Sequence, residues 1–233
     1  MISDALLLEC KNIARKIAPE LHPLYVMRAS DCTSWYPRVE AEAGVALFGP
    51  CPPGRDQLIE AGLWVGPGPI ILLVNEDLSR LATIATFVHE LAHCLPPTTF
   101  VDVVSTPENR AEYASQLQHF DTVGEGEPGT PAWFPNHGLH FMRMAIHCWW
   151  RLSLRCEIVV PVNCLMDLIY DLSSLSWYWL ALGNEPLKMK DELFSTIAAT
   201  PITPAFSGLF QDDMRLWQER NPEASKTLLE KSA

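Results

Sequence analysis

The chain has 233 residues, a formal net charge of −11 and a pI of about 5.0. Its 48% hydrophobic and 19% charged residues are typical of a folded domain with its own core, and they exclude a largely disordered chain. Because an acidic surface repels phosphate backbones, the charge also argues against general nucleic-acid binding.

The cysteines and the N-terminal segment indicate the cellular compartment. The seven cysteines are scattered and form no Cys-x-x-Cys pair, which argues against a disulfide framework and against a cysteine zinc ribbon. At the N-terminus, Asp4 precedes a short apolar run and there is no basic region, so we expect an amphipathic helix rather than a signal peptide. No apolar run reaches membrane-spanning length. We therefore expect a cytoplasmic protein that has reduced thiols and does not enter a membrane.

The N-terminal half is predicted to hold short strands between two helices. The predicted elements are a helix over 3–18, a strand over 24–29, a proline-rich irregular stretch over 31–68 with short strands near 45–48 and 63–65, a strand over 69–74 and a helix over 78–95. Asn75 or Asp77 is the expected N-cap of that second helix, and Pro96-Pro97 is its expected stop.

The C-terminal half is predicted to be mostly helical. After a long connection over 96–136, helices are expected over about 137–155 and near 165–182, 186–199 and 211–220. Arg143, Arg151 and Arg155 are spread along an otherwise apolar helix, which indicates a structural role for these basic residues. The predicted fold is α+β, with a small N-terminal β-sheet. Residues 1–160 are expected to form the main domain, and 161–233 a C-terminal helical lobe packed on it.

The segment His89-Glu90-Leu91-Ala92-His93 is an HExxH motif in an otherwise apolar helix. Side chains four residues apart share one helix face, so His89 and His93 can bind one metal ion. Glu90 lies a step round the helix, where it can reach a water at the metal and accept its proton. This pattern predicts a zinc site in which Glu90 is the general base.

A catalytic zinc needs a third protein ligand, which leaves the fourth position open. The first group of candidates lies in or just after the segment 136–143, namely His137, His140 and His147. The second group consists of Glu108 and Glu112, which follow His93 at 15 and 19 residues. Tyr113 and His119 are candidates for stabilising the oxyanion.

The segment His137-Gly138-Leu139-His140-Phe141 resembles the His-Gly-x-x-(Phe/Trp) motif of the SprT-like zinc metallopeptidases, which include the Spartan proteases, and of similar minigluzincin-like domains. The resemblance implies a zincin-like metallopeptidase core. It implies that His89, His93 and His137 bind Zn²⁺, that Glu90 is the catalytic base, and that Phe141 packs into the core. The order of the strand over 69–74 and the motif helix is also that of zincins.

The chain departs from the SprT-like pattern in two ways. It places 43 residues between His93 and His137, more than is usual in that family, and it contains no zinc ribbon or DNA-binding segment. The resemblance still implies a zinc site, because the residues of both motifs are present. It does not imply the DNA-repair role of Spartan.

The expected function is a zinc metallopeptidase with a protein or peptide substrate and no nucleic-acid partner. The strand over 69–74 is expected to be the edge with which an extended substrate pairs. Two alternatives stay open, a non-catalytic zinc-stabilised interaction domain and a zinc hydrolase with another kind of substrate. Glu90 favours catalysis, because a structural zinc site closes all four positions and has no use for an unliganded carboxylate.

Overall fold

The computed structural model of the chain describes residues 2–32, 44–47, 55–66, 68–95, 139–160 and 192–208, together with 212 and 219, and gives the backbone alone at 44–47, 55, 139 and 140. The elements are α1 (Asp4–Ile17), β1 (Tyr25–Arg28), β2 (Gly44–Leu47), α2 (Arg55–Glu60), β3 (Ile70–Leu73), α3 (Arg80–His93), α4 (Leu139–Cys156) and α5 (Phe194–Ala199). A short helical turn follows over 204–208. The predicted helix over 165–182 lies outside the described residues, as does most of the one over 211–220. The predicted α+β class is confirmed.

The three strands form one small mixed sheet in the order β1-β3-β2. The middle strand, β3, pairs in parallel with β1 and antiparallel with β2. All four of its residues are buried, because Ile71 and Leu73 face the main core while Ile70 and Leu72 face a second apolar cluster around Trp64. A strand covered on both faces is a continuous aliphatic run, which is why the sequence predicts a strand over 69–74. Its predicted role as a substrate-binding edge is wrong, because neighbouring strands occupy both of its edges.

The N-cap of α3 is Ser79, and the prediction of Asn75 or Asp77 is wrong. The Ser79 hydroxyl accepts a hydrogen bond from the backbone N–H of Ala82 at 3.3 Å. The Asn75 side chain instead accepts from the backbone N–H of Asp77 at 3.1 Å, which makes a local turn before the helix. The true cap therefore lies two residues after the later of the predicted positions.

The strand predicted near 63–65 is absent, and a short helix, α2, lies just before it. The N–H of Leu63 bonds to the carbonyl of Leu58 at 2.9 Å, and the N–H of Gly62 bonds to that of Ile59 at 3.0 Å. This is the Schellman arrangement that ends a helix, with Gly62 in the left-handed region at φ 69°. Residues 61–63 are therefore used to close α2 rather than to pair with a strand.

Two arginines of α4 bind the C-terminal end of α1. Arg151 is fully buried and donates to the carbonyl of Ile17 at 3.0 Å, and Arg155 donates to the carbonyl of Lys16. The last carbonyl groups of a helix have no partner within it, and they carry the negative end of its dipole. The structural role predicted for these basic residues is confirmed.

The segment 192–208 packs against the same core as α1, α3 and α4. Three of its apolar side chains are buried in the main apolar cluster, namely Phe194, Ile197 and Phe206. Arg143, which is fully buried on α4, donates to the carbonyls of Ile197 and Thr200 at 2.8 and 2.6 Å. The predicted domain boundary stays a prediction, because 161–191 lie outside the described residues.

No disulfide joins the cysteines of the described part, which are Cys10, Cys32, Cys94, Cys148 and Cys156. Burial raises the pKa of Cys10 to about 12, and it also raises the pKa of Cys148. Within the described residues, no helix combines the length and the apolar character needed to cross a bilayer.

Candidate metal centre

The HExxH motif lies on α3, a helix of the main apolar cluster. This helix packs against β2, β3, α1 and α4, and residues 83–92 are buried on every face. His89 is 5% and Glu90 7% exposed, and His93 is half-buried at the end of the helix. Polar side chains cost free energy in such a position unless a partner binds them. The motif is therefore held in a core helix rather than on a solvated surface.

The two histidines of the motif point their Nε2 atoms at each other. These atoms lie 3.3 Å apart, and the ring centroids lie 5.0 Å apart at an interplanar angle of 71°. Two nitrogen ligands at about 2.0–2.1 Å from a tetrahedral zinc are about 3.3–3.4 Å apart, as follows from the tetrahedral angle. The donor type and the spacing of His89 and His93 thus fit two adjacent corners of a zinc site.

The N-terminal end of α4 meets this histidine pair through Phe141, which is 4% exposed. Its ring stacks on His93, with centroids 4.2 Å apart and an angle of 27°. It also meets His89 edge to face, at 5.0 Å and 60°. The motif helix and the start of α4 therefore come together at the two imidazole rings.

Glu90 and Cys94 are the other polar groups of this end of α3. Glu90 follows His89 by about 100° round the helix, so its carboxylate leaves α3 in a different direction from the two rings. Burial raises the pKa of the Cys94 thiol well above its usual value, and the negative charge of Glu90 adds to this effect.

The candidates for the third ligand are placed only in part. His137 lies outside the described residues, two positions before the first residue of α4, and the side chain of His140 lies outside them too. His147 is fully buried and meets the ring of Phe194 at 6.5 Å. It follows Phe141 by six residues, which is about 9 Å along a helix axis.

The remaining candidates, Glu108, Glu112, Tyr113 and His119, lie in 96–138, outside the described residues. Among the residues that the structure does describe, no group of three His, Cys, Asp or Glu side chains could hold a metal ion. His147 therefore does not complete the pair. His137, His140, Glu108 and Glu112 stay predictions.

Sequence reasoning predicted only that Phe141 enters the core and did not place it against the histidines. The four-residue spacing of His137 and Phe141 could have indicated this contact, because in a helix both side chains would share one face. His22, a histidine that the motif does not use, is exposed.

No protein-family model, curated protein or solved structure matches this chain. The resemblance to SprT-like peptidases is carried by the residues of the two motifs.

Proposed function

We propose that this chain is a zinc-dependent metallopeptidase that acts on a protein or peptide substrate in the cytoplasm. The observation that supports this most is the 3.3 Å spacing of the His89 and His93 Nε2 atoms on one face of a buried helix. An N–H···N hydrogen bond between the two rings is the other arrangement with such a spacing. The neighbouring Glu90 favours a metal site over this hydrogen bond. A catalytic zinc site uses a carboxylate as its base, whereas a hydrogen bond between two histidines has no use for one.

Three residues would hold the zinc, namely His89, His93 and His137. The SprT-like resemblance supports His137, and so does the position of Phe141 at the histidine pair. The two residue steps from His137 to Leu139, the first residue of α4, span at most about 7 Å. The segment that carries His137 therefore joins α4 close to the end that touches the pair.

When bound, zinc supplies a Lewis acid that acidifies a water and polarises the scissile carbonyl. The Glu90 carboxylate accepts a proton from the attacking water and passes it to the leaving amine. The apolar side chains around α3 exclude bulk water from this exchange, which strengthens each electrostatic interaction inside the site.

An extended substrate would pair with β2 rather than with β3. β2 is an outer strand of the described sheet, it runs antiparallel to β3, and it packs against α3. A peptide added to this edge would lie beside the helix that carries the catalytic residues, and its backbone would make the hydrogen bonds of a further strand.

Metal analysis of the purified chain tests the proposal. We expect about one zinc per wild-type chain, since the site is of the mononuclear type. His89→Ala and His93→Ala should each lose most of the zinc, whereas His22→Ala, a change at an exposed histidine, should keep it. Hydrolysis of an unfolded protein substrate should disappear with a chelator and return with added Zn²⁺.

Zinc-free wild-type protein after purification with added Zn²⁺ would refute the metal site. Tightly bound zinc without hydrolysis of any peptide or unfolded protein would instead support the zinc-stabilised interaction domain.

A further inference from the structure

Three aromatic rings form a closed group at the centre of the proposed site. The centroids of His89, His93 and Phe141 are all 4.2–5.0 Å from one another. Two of these rings come from α3 and the third from α4, so the group forms only when the two helices pack together. Phe141 is the one ring of the three that cannot bind a metal.

The direction of each Nε2 atom depends on rotation of the imidazole about its Cβ–Cγ bond. This torsion has a broad preference, so the side chain alone does not fix it. A flat ring stacked at 4.2 Å on His93 opposes that rotation, because a turning imidazole would run into the phenyl face. The edge-to-face contact with His89 restricts the second ring in the same way.

The Phe141 ring restricts the rotation of His93 more than that of His89. His89 is 5% exposed and lies within the fully buried part of α3, whereas His93 is half-buried at the last position of the helix. The core already surrounds the first ring. The second ring has less protein around it, and Phe141 provides a closely stacked apolar surface for it.

We propose that Phe141 is a positioning residue of the zinc site, which holds the His93 ring, and less strongly the His89 ring, in the orientation that aims both Nε2 atoms at one point. This inference rests on the proposed zinc-binding function. A metal-bound imidazole is poorer in electrons than a free one, so its stacking on the phenyl face also becomes more favourable when the metal binds. Loss of the flat ring therefore weakens metal binding without removing any ligand.

The test is the affinity of the full chain for Zn²⁺ in competition with a chromophoric chelator. Phe141→Leu should weaken zinc binding about 10–100-fold, the range seen when groups that orient metal ligands are removed. Phe141→Tyr keeps the flat ring and should stay close to wild type. With Co²⁺ as probe, Phe141→Leu should also change the visible absorption bands, which report ligand geometry, and Phe141→Tyr should not.

Phe87→Leu is the matched control. Phe87 is fully buried on α3, and two residues of helix turn it about 200° away from His89. It should lose stability as Phe141→Leu does but keep the zinc affinity and the Co²⁺ spectrum. If Phe141→Leu does not fold, Phe141→Met, whose flexible unbranched side chain adapts to the gap without a flat ring, takes its place.

Zinc affinity and Co²⁺ bands of Phe141→Leu that equal those of wild type would overturn the positioning role and leave the metallopeptidase proposal standing. Equal losses in Phe87→Leu and Phe141→Leu would overturn it too, because the effect would then follow core stability. A wild-type chain that binds no zinc overturns both proposals.

Discussion

Glu90→Gln is expected to keep the zinc and to lose peptide hydrolysis. Glutamine has nearly the shape of glutamate but cannot accept the proton of the attacking water. Removal of a general base costs about 10²–10⁴ in rate. The loss should fall on kcat, with little change in KM, because the proton transfer belongs to the transition state. Initial rates on a fluorogenic peptide and zinc analysis of the same sample measure the two effects together.

Glu76→Gln is the matched control for Glu90→Gln. Glu76 is also buried, at 8% exposure, and its Oε1 accepts a hydrogen bond from the backbone N–H of Ser30 at 2.9 Å. A glutamine can accept the same bond, so this variant should keep both zinc and activity. Undiminished hydrolysis in Glu90→Gln would exclude Glu90 as the base, and loss of its zinc would instead make Glu90 part of the metal-binding set.

Arg151→Met should lower the free energy of unfolding by about 3 kcal/mol, the lower end for two buried hydrogen bonds from a charged donor at about 1.5–3 kcal/mol each. The Arg151 guanidinium donates to the carbonyls of Ile17 and Glu192 and lies 4.2 Å from the centroid of the Phe194 ring. Burial, and then the charge of Arg155, lower the pKa of Arg151, so desolvation offsets part of this stabilisation. Chemical unfolding followed by circular dichroism gives the difference.

Arg155→Met is the comparison for Arg151→Met. Arg155 is on the same helix and also donates to a backbone carbonyl, that of Lys16, but it is only half-buried. Its loss should cost less than about 1 kcal/mol, since solvent can replace an exposed interaction. Similar losses in the two variants would contradict the importance of burial at Arg151.

The long elements of the fold could be predicted because each carries its own periodic pattern. The apolar residues of α1, the aliphatic run of β3 and the stretches of α3 and α4 bury one face or all faces, and this burial is visible in the order of the residues. The ends of these helices were predicted to within about two residues. The six-residue α2 was missed, because prolines and glycines dominate 31–68. Gly62, at the position that ends a helix, was the available signal.

Long-range partners could not be predicted in the same way. The sequence showed that β3 is buried, but its place between β1 and β2 depends on pairing with residues 25–28 and 44–47. Likewise, the apolar surroundings of Arg151 indicated a structural residue, whereas its partners Ile17 and Glu192 lie 134 and 41 positions away. No local pattern encodes such contacts.

The same difference between local patterns and long-range contacts applies to the candidate site. The spacing of His89 and His93 predicted a shared helix face, and the structure adds the 3.3 Å between their Nε2 atoms. The contact with Phe141 required the packing of α3 on α4. His137 is separated from His93 by 43 residues, and its place beside the pair stays a prediction.

X-ray absorption spectroscopy at the zinc edge tests the metal centre most directly. We predict a first shell of nitrogen and oxygen only, at about 2.0–2.1 Å, with the outer-shell scattering of three imidazole rings. In His137→Ala the zinc should be lost, or one imidazole should disappear from its shell. Scattering from only two imidazoles in the wild-type chain would indicate that the third ligand is Glu108 or Glu112. A sulfur shell at about 2.3 Å, or a wild-type chain that takes up no zinc, would contradict a site built on His89 and His93.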